Sequence, residues 1–286
     1  MKKLFILMKA ITCILIGCIT VIGGVFLWLT SPLPETSQDV LFNNSYFVAH
    51  AGGALEGKAY LNSKESLIAS LENGYRYVEL DLGGGTSDST LVCIHDWKHF
   101  RSITTDDSVN VSDLPMTTEE FKSKKILGKW TPLTLEEAID IQKTRPFTIV
   151  TDKTSDPNVL NRYFKKNRQM VMVESFCLSD YIQLKKDGYI PMMSLWTFSY
   201  GEMFQFFVKN AIKYGTKIDW ICVHTSSNFK SLRMLKRLFG CKVAMYSSNS
   251  ANFFKEHLGK EIDLVYTDNW NLKTQKNNDT VLTVTY

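Results

Sequence analysis

From residue 46 onward, eight short β-type runs alternate with longer helical patterns, and this rhythm limits the fold more than any other feature of the chain. The runs cover 46–50, 77–81, 147–151, 170–174, 190–194, 218–223, 242–246 and 264–267. Strands that alternate with helices build parallel sheets, because each helix carries the chain back to the same end of the sheet. Eight such units predict an α/β chain closed into a TIM (β/α)8 barrel, with an open doubly wound sheet as the alternative, since periodicity alone does not close a sheet. The placement of polar residues favours the barrel. His50, Glu79, Asp81, Asp152, Glu174, His224 and Asp268 stand at or just beyond the C-terminal ends of runs, the end at which such barrels carry their sites.

Helix boundaries are marked between the runs. Ser63 opens a pattern that stops at Gly74, and Thr134 precedes Glu136 and Glu137 as a cap with acids in the first turn. Ser155-Asp156-Pro157 opens another helix, with proline early, and Ser179, Ser226 and Ser250 are read as caps of later ones. A further β-like run at 90–95 reads as an excursion after the second strand. The segment 101–130, without a strong strand, reads as an insertion over the barrel mouth.

The N-terminal segment is of another kind. No charge occurs from residue 10 to residue 34, and an apolar helix of roughly 20 residues crosses a bilayer. Lys2, Lys3 and Lys9 precede it, which places the N-terminus in the cytoplasm and the remainder outside, in the periplasm or at the cell surface. The expected division is a basic cytoplasmic end at 1–9, a membrane anchor at 10–30, a proline-stiffened linker at 31–44 and the barrel at 45–286. A cleaved signal is the first alternative, but the run ends in Phe26-Leu27-Trp28-Leu29, too bulky for a cleavage site. Lipidation at Cys18 is the second, because Leu15-Ile16-Gly17-Cys18 resembles a lipobox, although the apolar run continues to Leu29. All three put the globular part outside the cytoplasm.

Composition excludes several classes. A hydrophobic fraction of 44% excludes a disordered chain. The net charge of +4 owes three units to the N-terminal lysines, and no concentrated basic run marks a nucleic-acid binder. The six cysteines include no CxxC pair, and Cys93, Cys222 and Cys241 fall in or beside apolar runs, as buried small side chains do.

The candidate chemistry lies between His50 and Asp96. Glu79 and Asp81 are two apart, so a strand turns both to one face. In a barrel that face is the interior, where unpaired carboxylates are costly unless they hold a cation. Oxygen-only ligands suit Ca2+ or Mg2+, while the bland alternative is a rim pair with lysine partners. His50 and His95 each end an apolar run, and two histidines supply a base and an acid near neutral pH. Asp96 either orients His95 or caps a turn. Gly52-Gly53 lets backbone amides approach an anion. Gly83-Gly84-Gly85 lacks the helix and the acid of a dinucleotide fingerprint.

Taken together, His50-Ala51-Gly52, Asn62-Ser63, Glu79-Leu80-Asp81, Thr86-Ser87-Asp88 and His95-Asp96 resemble the glycerophosphodiester phosphodiesterase family. Pro132-Leu133-Thr134-Leu135-Glu136-Glu137, Glu174-Ser175-Phe176 and Val265-Tyr266-Thr267-Asp268-Asn269 extend the likeness over nearly the whole part beyond the anchor. The resemblance implies a TIM-type barrel that hydrolyses a phosphodiester to an alcohol and a phosphomonoester. It implies His50 and His95 as the acid–base pair, Glu79 and Asp81 as ligands of a divalent cation, Asp152 or alternatively Glu174 as the third ligand, and Lys153 with Gly52 at the phosphate. The pattern departs from the family at Ala51, where a phosphate-holding arginine is usual, and at Leu61, where a glutamate is usual. It departs again at Thr151-Asp152-Lys153, where Glu-x-Lys is usual and the carboxylate is shifted by one. Such a shift reverses the face, so Asp152 reaches a cation only at a strand end or bulge. The expected partner is a small phosphodiester or a phospholipid-derived substrate, with no nucleic acid and no obligate protein partner. A phospholipase of a related barrel type and a non-catalytic envelope-binding module are the competing readings.

Overall fold

The computed structural model describes residues 2–34, 40–41, 43–104, 113–195, 200–274 and 276–277. Its centre is a closed barrel of eight parallel strands: β1 (Phe47–Ala49), β2 (Tyr77–Asp81), β5 (Thr148–Asp152), β6 (Val171–Ser175), β7 (Ile190–Leu195), β8 (Trp220–His224), β9 (Lys242–Tyr246) and β10 (Leu264–Thr267). These are the eight expected runs with ends moved by a residue or two. The pairing of β1 with β10, Phe47 opposite Val265, closes the ring. Two short hairpins complete the strands: β3 (Gly84–Gly85) with β4 (Leu91–Val92), and β11 (Trp270–Asn271) with β12 (Lys276–Asn277).

Alternation along the strands explains the closure. Val48, Val150, Met172, Met192, Cys222, Ala244, Leu264 and Tyr266 form one buried cluster inside the ring. Their neighbours in sequence, such as Phe47, Ile149, Val173 and Val265, belong to the larger cluster between strands and helices, as do Val78 and Leu80 of β2. Strands buried on both faces read as nearly continuous apolar runs, as these do.

The helices α2 (Lys64–Asn73), α5 (Leu135–Thr144), α6 (Pro157–Tyr163), α7 (Leu178–Lys186), α8 (Tyr200–Tyr214), α9 (Phe229–Phe239) and α10 (Ala251–His257) lie around the ring. Ser63 and Thr134 each close a capping box, and Gly74 ends α2 in the left-handed conformation. Ser250 caps α10. Ser155-Asp156-Pro157 opens α6 as expected, with Asp156 as its cap and Pro157 in its first turn, while the Ser155 hydroxyl donates to Asp180. Two expected caps move. Asn228 replaces Ser226 at α9, because the Ser226 hydroxyl is held by His224 Nδ1 at 2.8 Å. Cys177 precedes α7 without a side-chain cap, and Ser179 sits inside the first turn.

The excursion at 90–95 is the second strand of the β3–β4 hairpin. Beyond it α3 (Trp97–Ser102) and α4 (Thr118–Ser123) pack on Leu61, Ile94, Phe121 and Trp130, a small core of their own. Part of the expected insertion, 105–112, lies outside the described residues. At the other end α1 (Lys2–Thr30) is one continuous helix, whose stretch Ile11–Thr30 is long and apolar enough to cross a membrane.

Candidate active site

The barrel interior at the C-terminal ends of its strands opens into a cavity of about 510 Å³ lined by His50, Tyr60, Glu79, Asp81, His95, Asp152, Lys153, Glu174, Phe176, Tyr246 and Tyr266. Most of the residues singled out in sequence meet there. Glu79 and Asp81 face inward because Val78 and Leu80, which alternate with them, belong to the outer layer. Asp152 lies opposite Asp81 in the parallel register of β2 and β5, so it shares that inward face. No bulge is needed, because Asp152 is the last residue of β5, the strand end at which the one-residue shift lets it turn to the cavity. Thr151, the residue in the family's glutamate position, is buried on the other side.

Glu79, Asp81 and Asp152 bring carboxylate oxygens within 4.8 Å of one another, and Glu174 stands on the next strand outside that group. Asn62 fixes Asp81 from two sides. Its Nδ2 donates to Asp81 Oδ2 at 2.8 Å and its Oδ1 accepts from the Asp81 amide at 3.1 Å. Glu79 is nearly inaccessible. Its Oε2 accepts from the Ala51 amide, while its Oε1 is buried with no partner among the described residues. Burial, and then the charges of Asp81 and Asp152, push its carboxyl well above the usual range. A buried carboxylate oxygen without a partner, on a residue of an all-oxygen cluster, is a costly arrangement that a hard cation relieves. The donor set therefore fits Ca2+ or Mg2+.

Lys153 is the cationic side chain among the residues that line this cavity. Its Nζ lies 2.9 Å from Asp152 and 3.7 Å from Asp81. Burial disfavours its charge, but the neighbouring Asp152 and Asp81 outweigh that and hold it above its ordinary value. Glu174 is pushed up to about 7 by burial and by the charge of Asp152.

Each histidine is oriented by an aspartate. His95 Nδ1 lies 2.6 Å from Asp96 Oδ2, and Asp96 Oδ1 accepts from the His99 amide at 2.7 Å as the cap of α3. Asp96 therefore performs both roles that the sequence left open. His50 Nδ1 lies 2.8 Å from Asp268 Oδ1. Asp268 accepts from Asn249 Nδ2 at 2.8 Å, and Asn249 Oδ1 in turn accepts from the Asp268 amide at 2.9 Å. A carboxylate on Nδ1 sets the tautomer and aims the other ring nitrogen. The Asn249 brace was missed in sequence. It lies on a different βα unit from His50, and no local spacing marks it.

Burial would raise the Asp268 carboxyl, but the hydrogen bond and charge of His50, with Asn249, hold it below the usual aspartate range. A depressed folded-state value stabilises the fold above the unfolded value of about 3.9 and is lost as pH falls through the folded one. Asp268→Asn is accordingly expected to cost roughly 1.5–3 kcal/mol at pH 6. The gap from the parent should shrink as pH drops below about 4, measured as urea midpoints over a pH series.

Two glycine sites hold the frame. Gly52, with φ +81°, lies behind His50, where an added Cβ would come 2.6 Å from Ser66 Oγ, and it is not among the residues lining the cavity. Gly83 packs directly on the backbone of His95, whose carbonyl oxygen would lie 1.9 Å from a Cβ. Of the other candidates, His224 is bonded to Ser226 at the rim rather than in the cavity.

The mouth of a closed parallel barrel thus brings together two aspartate-bound histidines and a cluster of three carboxylates. Residues 54–272 match the Glycerophosphoryl diester phosphodiesterase family. The chain belongs to this family, and it is a phosphoric diester hydrolase. Solved structures agree on the fold. A glycerophosphoryl diester phosphodiesterase from Parabacteroides distasonis is 18% identical with a TM-score of 0.60, over 90% of this chain and 92% of that one. A putative one from Agrobacterium tumefaciens is 18% identical with a TM-score of 0.59, over 78% and 93%. An Oleispira antarctica phosphodiesterase in complex with the product sn-glycerol-3-phosphate is 18% identical with a TM-score of 0.58, over 80% and 95%. No curated protein matches the chain.

Proposed function

We propose that the chain hydrolyses a glycerophosphodiester to an alcohol and a phosphomonoester, with His50 and His95 as its acid–base pair beside a divalent cation. The observation that carries this reading is the convergence of two aspartate-oriented histidines on the cavity that holds the Glu79–Asp81–Asp152 cluster. Those three carboxylates would hold the Ca2+ or Mg2+, which when bound would supply Lewis-acid polarisation of the phosphoryl group. Lys153 moves from its carboxylate partners to the substrate phosphate, with the turn at Gly52 behind it. One histidine takes the proton of the attacking water or hydroxyl, and the other protonates the departing alkoxide. Ala51 leaves the phosphate without the usual arginine fork, so Lys153 is the cationic side chain that meets it beside the metal.

The domain reading stands beside the catalytic one. Residues 1–9 face the cytoplasm, 10–30 span the membrane, 31–44 link, and 45–286 form the extracytoplasmic barrel. The apolar length of Ile11–Thr30 supports it.

Product analysis tests the reaction. With a water-soluble glycerophosphodiester and a divalent cation, the purified protein should release sn-glycerol 3-phosphate and free alcohol. A ceramide or inositol phosphate product from the corresponding lipids, with no turnover of the diester, would instead favour the related phospholipases, and binding without turnover a non-catalytic module. Cation occupancy has its own readout. At a hundred times its Kd the cation should stabilise the fold by about 2.7 kcal/mol, raising the unfolding midpoint by roughly 5–10 °C for a domain of this size. Glu79→Gln should remove most of that shift in calorimetry.

A further inference from the structure

The apolar helix α1 joins the barrel at its last turn. Arg237 of α9 donates from Nη1 to the carbonyls of Trp28, Leu29 and Ser31 at 2.5, 3.0 and 2.8 Å, and from Nη2 to Pro32 at 3.1 Å. Its guanidinium also lies 5.3 Å from the centre of the Trp28 ring. Arg233 donates from Nη1 to the Thr30 carbonyl at 3.2 Å while its Nε pairs with the buried Glu261 at 2.6 Å. Of these carbonyls, those of Trp28, Leu29 and Thr30 lie in the last turn of α1, where acceptors have no intrahelical donor, and a guanidinium also meets the negative end of the helix dipole there. The residues from Ile11 to Trp28 are exposed, so α1 leaves the barrel from this clamp.

The clamp lies at a defined end of the barrel. α9 runs from the C-terminal end of β8 to the N-terminal end of β9, and Arg237 is in its last turn. α1 is therefore held at the floor, whereas the cavity with His50, His95 and the acidic cluster opens at the opposite end. The same floor carries a second feature. α8 and α9 end there side by side, joined by the stacked rings of Phe207 and Phe239 at 4.7 Å. Ile212 is 81% exposed and Leu238 44% exposed at these ends. Lys213, Lys217 and Lys242 are exposed at the adjoining ends of α8 and β9, and the acid among them, Asp219, is paired with Lys185. Bare aliphatic side chains among lysines are the composition of a surface that rests on anionic headgroups.

We propose that the floor formed by the ends of α8 and α9 rests on the anionic bilayer that α1 spans, and that the Arg233–Arg237 clamp turns the catalytic mouth away from that bilayer. This rests on the membrane-spanning reading of α1 above. Five-residue strands are roughly 17 Å long, and at a tilt of about 36° they set the mouth roughly 13 Å above the floor. The substrate is then a phosphodiester presented from the aqueous side, and lipids of the supporting bilayer are out of reach.

Lysine acetylation with mass spectrometry reads the orientation on the full chain. In nanodiscs containing phosphatidylglycerol, Lys217 and Lys242 should be modified about fivefold more slowly than in nanodiscs of phosphatidylcholine alone, while Lys129 in the mouth-side insertion keeps its rate. The double variant R233A/R237A should lose that protection and still hydrolyse a soluble diester, which shows that it is folded. Protection of Lys129 in place of the floor lysines, equal rates in the two lipids, or recovery of the protein without α1 would overturn the proposal. Diester hydrolysis measured on the same samples judges the catalytic reading separately. Release of glycerol phosphate from the nanodisc lipid would overturn the orientation while leaving that reading intact.

Discussion

Glutamine at either His50 or His95 is expected to lower kcat on a glycerophosphodiester by about 10²–10⁴-fold, the range for losing a positioned general acid or base. KM should change little, because neither ring is asked to hold the substrate in its ground state. The two variants part company on a p-nitrophenyl phosphodiester, whose leaving group departs without a proton. The variant lacking the general acid recovers most of its rate on that ester, and the variant lacking the base does not. Comparing kcat for both substrates across both variants assigns the roles, which the near-symmetric His50–Asp268 and His95–Asp96 pairs leave open. A full parental rate on the natural diester for either variant would remove that histidine from the mechanism.

Gly83→Ala carries the second large effect, at a position with no chemistry of its own. The Gly83 amide donates to the Ile94 carbonyl at 2.8 Å, and its α-carbon sits against the His95 backbone. A methyl group there meets backbone, which does not rotate away, so the segment 94–96 must shift. Overpacking of this kind costs about 1–3 kcal/mol. A displacement of the order of 1 Å at a catalytic group costs about 10²-fold in rate. Activity should therefore fall far more than stability, which distinguishes a moved His95 from a damaged fold. Thermal midpoint and kcat on one preparation make the comparison, and a variant with both near parental values would contradict the packing described here.

The barrel was legible because its strands are apolar on both faces and their ends carry polar residues. β2 and β5 show the limit of that reading. Spacing places Glu79 and Asp81 on one face, but the face of Asp152 depends on the register of β5 against β2, which only the paired strands reveal. The histidine partners differ in the same way. Asp96 follows His95 directly and was visible, whereas Asp268 and its brace Asn249 come from the last units of the ring. They reach His50 only because β10 closes on β1. Ser63, Thr134 and Ser250 were readable as caps. Ser226 gave way to Asn228 because His224 holds its hydroxyl, which the sequence does not show. The clamp of Arg237 on α1 had no sequence signal, since it joins residues more than two hundred positions apart.

The central claim is that carboxylates on β2 and β5 hold a divalent cation on which phosphodiester hydrolysis depends. The most direct measurement is the hydrolysis of bis(p-nitrophenyl) phosphate by the purified protein and by Glu79→Gln, titrated with Ca2+ and Mg2+ after chelation. The expected result is a parent that is inactive after chelation and restored by one of the two ions, beside a variant that neither ion restores. A Glu79→Gln protein with the parent's metal-dependent rate, or a parent indifferent to chelation, would contradict it.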